Sequence, residues 1–337
     1  MLLLLLATAI ADTCPDYGET EPSGEVRIGG LSESSGVAAS RIRPGVFFTH
    51  GDGGEPRIYA FRADGRALES VEVAGAELDD WEDIAAAPCP DKGDCLYIGD
   101  IGDNDEQRGS ITVYVVREPE EGDDKTKVRE RYTATYPDGA HDAEALLVHP
   151  CTGRIHVVTK SADGLSTIYR FPPLSEVGRD TVTLEEVAKV QIDAPTAEGR
   201  RVTGGDYDLD GDRVVLRTGA EVLEWTIDPE APNSHWATPP RAYPAASGEE
   251  QGEGVAFDLD GGVVITSEGS PMPVARLPCS TEPSSHECVF PQSGCGCQST
   301  SGGVGGAWLA MLGLVGAAGR RGRAGQRRQR SIRDQPS

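Results

Sequence analysis

One feature narrows the fold of this chain more than any other: a short motif that returns five times. It reads Ser35-Gly36-Val37-Ala38, Glu82-Asp83-Ile84-Ala85, Glu144-Ala145-Leu146-Leu147, Gly205-Asp206-Tyr207-Asp208 and Glu253-Gly254-Val255-Ala256. From Val37 to Ile84, Leu146, Tyr207 and Val255 the steps are 47, 62, 61 and 48 residues. Self-similarity at this period, built from strands, is the mark of propeller blades.

Each repeat continues in the same order. A second strand is predicted at Val46–His50, Cys95–Gly99, Arg154–Thr159, Arg213–Thr218 and Gly262–Ser267. A third is predicted at Arg57–Arg62, Ile111–Arg117, Thr167–Phe171, Val222–Ile227 and Val274–Leu277. Fourth strands fall at Leu68–Val73, Arg131–Tyr136, Glu186–Ile192 and Arg241–Pro244, and the fifth repeat has none. The spare strand Glu25–Gly29 pairs with the last repeat and closes the ring, which protects sheet edges. The expected fold is therefore all-β, a single β-propeller of five blades closed by an N-terminal strand. A sixth blade in the long gaps of repeats two and three is the alternative.

The ends point to export. Leu2 to Leu6 and Ala9-Ile10-Ala11 form an apolar run with a small-residue cleavage site, although no Lys or Arg precedes the leucines. At the other end, Gly294-Cys295-Gly296-Cys297 leads through a Ser/Thr/Gly spacer to an apolar, glycine-rich stretch from Val304 to Ala318. A block of arginines from Arg320 to Arg333 follows. That stretch is shorter than an ordinary spanning helix, and the arginines stay on the cytoplasmic side. A plain single-span anchor is one reading of it. The order Cys-Gly-Cys, spacer, short apolar segment and arginine cluster also resembles the Myxo-CTERM sorting signal of myxobacterial surface proteins. That resemblance implies processing near Cys295 or Cys297 by a sorting protease and delivery to the cell surface or outer membrane. The polar extension out to Ser337 departs from the signal.

The expected domains are a signal peptide 1–11, a linker 12–23, the propeller 24–278, a cysteine-containing linker 279–303, a short transmembrane segment 304–319 and a basic cytoplasmic tail 320–337. The tail is thus the contact with the membrane.

Charge excludes one class of partner. The chain has 31 Lys and Arg against 55 Asp and Glu; seven arginines and one aspartate lie beyond Gln298, leaving 24 against 54, a net charge of −30. Such a surface repels nucleic acid and attracts cations. Cysteine usage fits an oxidising compartment. Cys89 and Cys95 flank a turn and are candidates for a local disulfide. Cys279 and Cys288 bracket another loop, which leaves over Cys14 and Cys151; pairing of these two with each other is one option among the connectivities that the sequence leaves open.

In a propeller the first strand of each blade lines the central channel. Glu82, Glu144, Asp206 and Glu253 then converge, and converging carboxylates need a cation, a proton or hydrogen bonds to neighbouring backbone. Calcium, a hard ion that takes six to eight oxygens, suits such a ring. Around the same mouth the pattern gathers Glu33, His50, Asp52, Asp83, Asp100, Asp103, Asn104, Asp142, Lys160 and Glu268 as a possible ligand site. The loop Gly99-Asp100-Ile101-Gly102-Asp103-Asn104 either holds a ligand or caps itself. Asp206-Tyr207-Asp208-Leu209-Asp210-Gly211 opens like an EF-hand but has Arg217 where the bidentate glutamate belongs, so it reads as a hairpin turn.

Ser34-Ser35-Gly36, Thr49-His50-Gly51-Asp52, Asp80-Trp81-Glu82-Asp83, the Gly99–Asn104 run and Asp142-Ala143-Glu144-Ala145 together resemble bacterial secreted β-propellers. More distantly they resemble the phytase-like esterase and lactonase propellers. The distant resemblance implies calcium held by Glu82, Glu144, Asp206 and Glu253, polarising a phosphate or lactone oxygen. The chain has no G-x-S-x-G elbow, no H-E-x-x-H and no P-loop. Two functions are therefore weighed: a module that binds a small-molecule or protein ligand, and a calcium-dependent esterase, lactonase or phosphoesterase.

Overall fold

The structure, a computed structural model, describes residue 14 and residues 16–279 apart from 32, 178, 179, 247 and 250. Five four-stranded antiparallel blades follow one another along the chain. Blade 1 is Ser34–Ala39, Phe47–Gly51, Arg57–Phe61 and Ala67–Ala74; blade 2 is Trp81–Pro88, Asp94–Asp100, Ile111–Arg117 and Lys125–Thr135. Blade 3 is Ala143–Val148, Ile155–Thr159, Leu165–Arg170 and Glu185–Gln191; blade 4 is Val202–Tyr207, Arg213–Thr218, Glu221–Thr226 and Arg241–Pro244. Blade 5 takes Gly252–Phe257, Val263–Ser267 and Met272–Leu277 from the end of the domain and Glu21–Val26 from its start. The five first strands pack side by side in ring order, the fifth against the first.

The protein is thus a single five-bladed β-propeller. Among the described residues the long gaps hold no sixth blade. Repeat two spends its extra residues on an eleven-residue outer strand, Lys125–Thr135. Repeat three adds only the two-residue strand Val182–Thr183, which runs parallel to the end of that outer strand. Among the described residues no helix is long and apolar enough to cross a membrane.

The core explains why inner strands such as Ala143–Val148 and Gly252–Phe257 are buried at every position. Each blade packs on both faces, so alternation gives way to continuous apolar runs. Five apolar clusters fill the five gaps between blades. Phe48, Trp81 and Tyr114 lie between blades 1 and 2, Tyr97, Leu146 and Tyr169 between 2 and 3, and Leu147, Leu216 and Trp225 between 3 and 4. Val215, Val255 and Ile265 lie between blades 4 and 5, and Val26, Phe47 and Phe61 between 5 and 1.

Ring closure corrects two expectations. The closing strand is Glu21–Val26, four residues earlier than the predicted Glu25–Gly29 and reaching into the stretch read as a linker. Only Val26 of this edge strand is buried, so its sequence carries little apolar signal. Cys14 pairs with Cys279, not with Cys151, and Cys279 therefore does not pair with Cys288 across the polar loop. Cys89 pairs with Cys95 as expected, and Cys151 is disulfide-bonded as well. Just inside the Cys14–Cys279 bond, Tyr17 donates to Glu224 at 2.8 Å and accepts from Arg213 Nη1 at 2.7 Å. Cys288, Cys295, Cys297 and both expected targeting ends lie outside the described residues.

Candidate functional site

A bulge interrupts the inner strand of every blade at the same place. Pairing skips one residue at Glu82, at Glu144 and at Thr203, and it shifts likewise across Ser35-Gly36 and Glu253-Gly254. An extra residue on one strand re-aims its side chain. Five re-aimed side chains, Ser35, Glu82, Glu144, Thr203 and Glu253, therefore stand at equivalent points round one mouth of the channel. Thr203 Oγ1 donates to the Gly252 carbonyl at 2.9 Å, and Ser35 Oγ to the Glu82 carbonyl at 2.7 Å and Glu82 Oε2 at 3.1 Å.

This register moves Asp206 out of the ring of candidate ligands. Gly205, not Tyr207, takes the place of Ile84 and Leu146, and blade 4 puts a threonine where three blades put glutamate. Asp206 lies deeper, where Oδ2 accepts from the Phe257 amide of blade 5 at 2.9 Å, and burial raises its pKa to about 8. Asp83 is deeper still in its role. Its Oδ2 accepts from the Leu146 amide at 2.8 Å and the Gly205 amide at 3.2 Å, and its Oδ1 from its neighbour Ile84 at 2.8 Å. One fully buried carboxylate thus ties blade 2 to blades 3 and 4. A Cβ at Gly36 would come within 2.4 Å of Asp83 Oδ1, so blade 1 must present glycine there. Burial pushes the Asp83 pKa well up, against the pull of the three amides.

At the mouth, Glu82, Asp142 and Glu144 each bring a carboxylate oxygen within 4.8 Å of the others, all three buried. Asp142 Oδ1 also accepts from the Asp103 amide at 2.9 Å, while Glu144 Oε2 is buried without a hydrogen-bond partner among the described residues. Lys160 Nζ is bonded to Glu144 Oε1. Glu253 accepts from Gln251 Nε2 at 2.6 Å, and the same amide group reaches Glu268 at 2.9 Å.

Electrostatics separates this group from a solvated acidic surface. Burial first, and then the charges of Glu144 and Asp80, hold Glu82 well above the usual carboxylate range. Burial lifts Glu144 to about 8 and Glu253 to about 7, with Lys160 pulling both back. At neutral pH such a group keeps protons or takes a cation.

Other expected residues have different duties. Asp100 accepts from the Asp79 and Asp80 amides at 3.3 and 3.2 Å and from Arg108 at 2.7 Å; Asp103 accepts from the amides of Gln107 and Arg108 at 2.9 and 2.7 Å. The Gly99–Asn104 loop therefore caps itself. His50 is wholly buried against Trp81, donates through Nδ1 to the Gly51 carbonyl at 3.1 Å, and is held by burial at a pKa of about 4. Glu33 and Asn104 are exposed and Asp52 half-buried. Asp208 binds Arg213 at 3.0 Å in a hairpin turn with Gly211 at φ 75°, as the turn reading expects.

Sequence reasoning missed Asp80. A Cβ at Gly102 would lie 2.5 Å from Asp80 Oδ2 and 2.4 Å from Glu82 Oε1, so this carboxyl borders the group. Its place two residues before Glu82, matching Asp142 before Glu144, was the available signal.

Fold and site together define a five-bladed β-propeller with a buried carboxylate cluster at one mouth of its channel. No family model matches the chain, and no curated protein does. Among solved structures, a glucose dehydrogenase is 11% identical with a TM-score of 0.44, covering 78% of this chain and 100% of its own. A putative glucose dehydrogenase-type oxidoreductase of Thermus thermophilus is 13% identical at a TM-score of 0.43, with the same coverage. A streptogramin B lyase is 11% identical at a TM-score of 0.40, covering 78% of this chain and 98% of its own. The fold assignment rests on the five sheets of this chain, and nothing of those proteins' chemistry passes to it.

Proposed function

We propose that this chain is an exported, surface-anchored propeller whose mouth holds a divalent cation, calcium by its chemistry, and that it binds a ligand or partner through that face. One observation carries the reading: the three buried carboxylate oxygens of Glu82, Asp142 and Glu144 within 4.8 Å of one another. The unpartnered Glu144 Oε2 supports it, because a cation supplies the partner that oxygen lacks. An all-oxygen donor set favours a hard ion, and calcium tolerates irregular geometry where magnesium does not. Disulfides at every described cysteine support export, as do the apolar start and the Cys-Gly-Cys tail.

Glu82→Gln tests the site with a change of sign. In chelator the variant is at least as stable as the wild type, because the like-charge repulsion between Glu82 and Glu144 is gone. In calcium it is the less stable of the two, with an affinity loss on the order of a hundredfold, about 2.7 kcal/mol. Melting curves of both proteins in both media read the crossover, and parallel shifts in the two media contradict the assignment.

Hydrolysis is the second reading, an activity on esters, lactones or phosphoesters in which the calcium ion polarises the substrate. One observation favours it: beside Asp142, the half-buried His141 pairs through Nε2 with Asp138 at 3.0 Å, a base held by a carboxylate. Turnover of such substrates that is lost both in chelator and in His141→Ala favours the hydrolase. Ligand binding without turnover favours the module.

A further inference from the structure

Of the five lysines in the chain, Lys92, Lys125, Lys127 and Lys189 are exposed, and Lys160 alone turns inward. Its amide donates to the Asp142 carbonyl at 3.0 Å, which fixes its backbone beside the carboxylate cluster. Its ammonium is bonded to Glu144 Oε1, and its side chain is only 19% exposed. The same ammonium lowers the pKa of Glu82, Glu144 and Glu253 together, so its charge is felt by carboxyls of three blades while its contact is with Glu144.

We infer that Lys160 is the resident cation of the acidic mouth, and that an external cation enters only by exchange, Lys160 swinging out as the ion takes its place. The inference rests on the cation reading above. A divalent ion and an ammonium sharing Glu144 would repel each other across a few ångströms of partly desolvated space. The lysine stem is flexible and its ammonium hydrates well, so leaving costs little. One ammonium against the four carboxyl groups of Glu82, Asp142, Glu144 and Glu253 also leaves oxygens unserved, and Glu144 Oε2 stays without a hydrogen-bond partner with the lysine in place. The mouth therefore stays folded without metal and still favours a divalent ion over its own lysine. Affinity for the ion is set by the difference between the two.

Two measurements test exchange. Calcium titrated calorimetrically into Lys160→Met, which keeps the unbranched stem without the ammonium, should bind more tightly than to wild type by on the order of tenfold, about 1.4 kcal/mol. In the wild type, calcium should raise acylation of Lys160 by an amine-reactive reagent several-fold, read by peptide mass, and leave the other four lysines unchanged. Equal or weaker binding to Lys160→Met overturns exchange, as does unchanged Lys160 labelling while calcium binds, and either result leaves the cation site standing. Calcium binding to neither protein overturns both. The labelling experiment needs no variant, so it decides the matter even if Lys160→Met fails to fold.

Discussion

Asp83→Ala should lose on the order of 3 to 9 kcal/mol of stability, because three buried amides lose their acceptor at about 1 to 3 kcal/mol each. The Leu146 and Gly205 amides belong to different blades, and both residues are buried. Gly36 deepens the loss, since its missing side chain leaves a void beside the missing carboxylate. Asp83→Asn keeps one acceptor oxygen but turns an NH2 toward amide donors, so it should fall between. Denaturant unfolding of the three proteins gives the order wild type, Asn, Ala. A loss below about 1 kcal/mol for Asp83→Ala would show that the amides are satisfied without it.

The second large effect lies at the ring closure. Cys14–Cys279 spans 265 residues, and the chain-entropy relation gives such a loop about 5.6 kcal/mol. Cys89–Cys95 spans six, for which the same relation gives about 2 kcal/mol. Replacing the first pair by serine should therefore cost clearly more than replacing the second. The long bond sits just outside the pairing of Glu21–Val26 with Met272–Leu277, so opening that pairing in the double variant frees both ends of the chain at once. A larger loss in Cys89→Ser/Cys95→Ser would mean that the strand alone secures the ring.

Much of this architecture was legible because blades repeat. Ile111–Arg117, Arg213–Thr218 and Arg241–Pro244 stand in the structure as the sequence places them. The closing strand was less legible because five of its six residues meet solvent and only Val26 packs. Cys14–Cys279 follows from closure itself: a ring that joins its first strand to its last blade brings the flanking residues together, a consequence that loop-by-loop pairing overlooks. In the site, Glu82, Glu144 and Glu253 were found because the bulge repeats. Asp206 was matched by its charge where the bulge required Thr203, an uncharged residue that no search for acids returns. Asp83 was read as a mouth residue, since nothing in a sequence distinguishes a carboxylate facing solvent from one facing three amides.

pH acts on this site with a definite sign. Glu144 and Glu253 have folded pKa values raised to about 8 and about 7, so what they contribute is present below their ordinary range and lost as pH rises through 7 to 8. The buried His50, His149, His156 and His235 have pKa values lowered to about 4 or below; their contribution is complete above 6.5 and lost on acidification. Above pH 6.5 the carboxyls therefore act alone. In chelator the fold should weaken from pH 6.5 to 8, and calcium, which replaces the protons leaving the mouth, should remove the share of Glu144 and Glu253 and leave that of Asp206, which lies away from the ion.

The most direct test of the cation site is a melting curve of the wild-type domain at pH 8 in calcium and in chelator. At a hundredfold excess over its dissociation constant calcium should add about 2.7 kcal/mol, which for a domain of this size raises the midpoint by roughly 5 to 10 °C. An unchanged midpoint, with no calcium in the purified protein, would contradict the account: Lys160 and retained protons would then satisfy Glu82, Asp142 and Glu144, and the mouth would hold no metal.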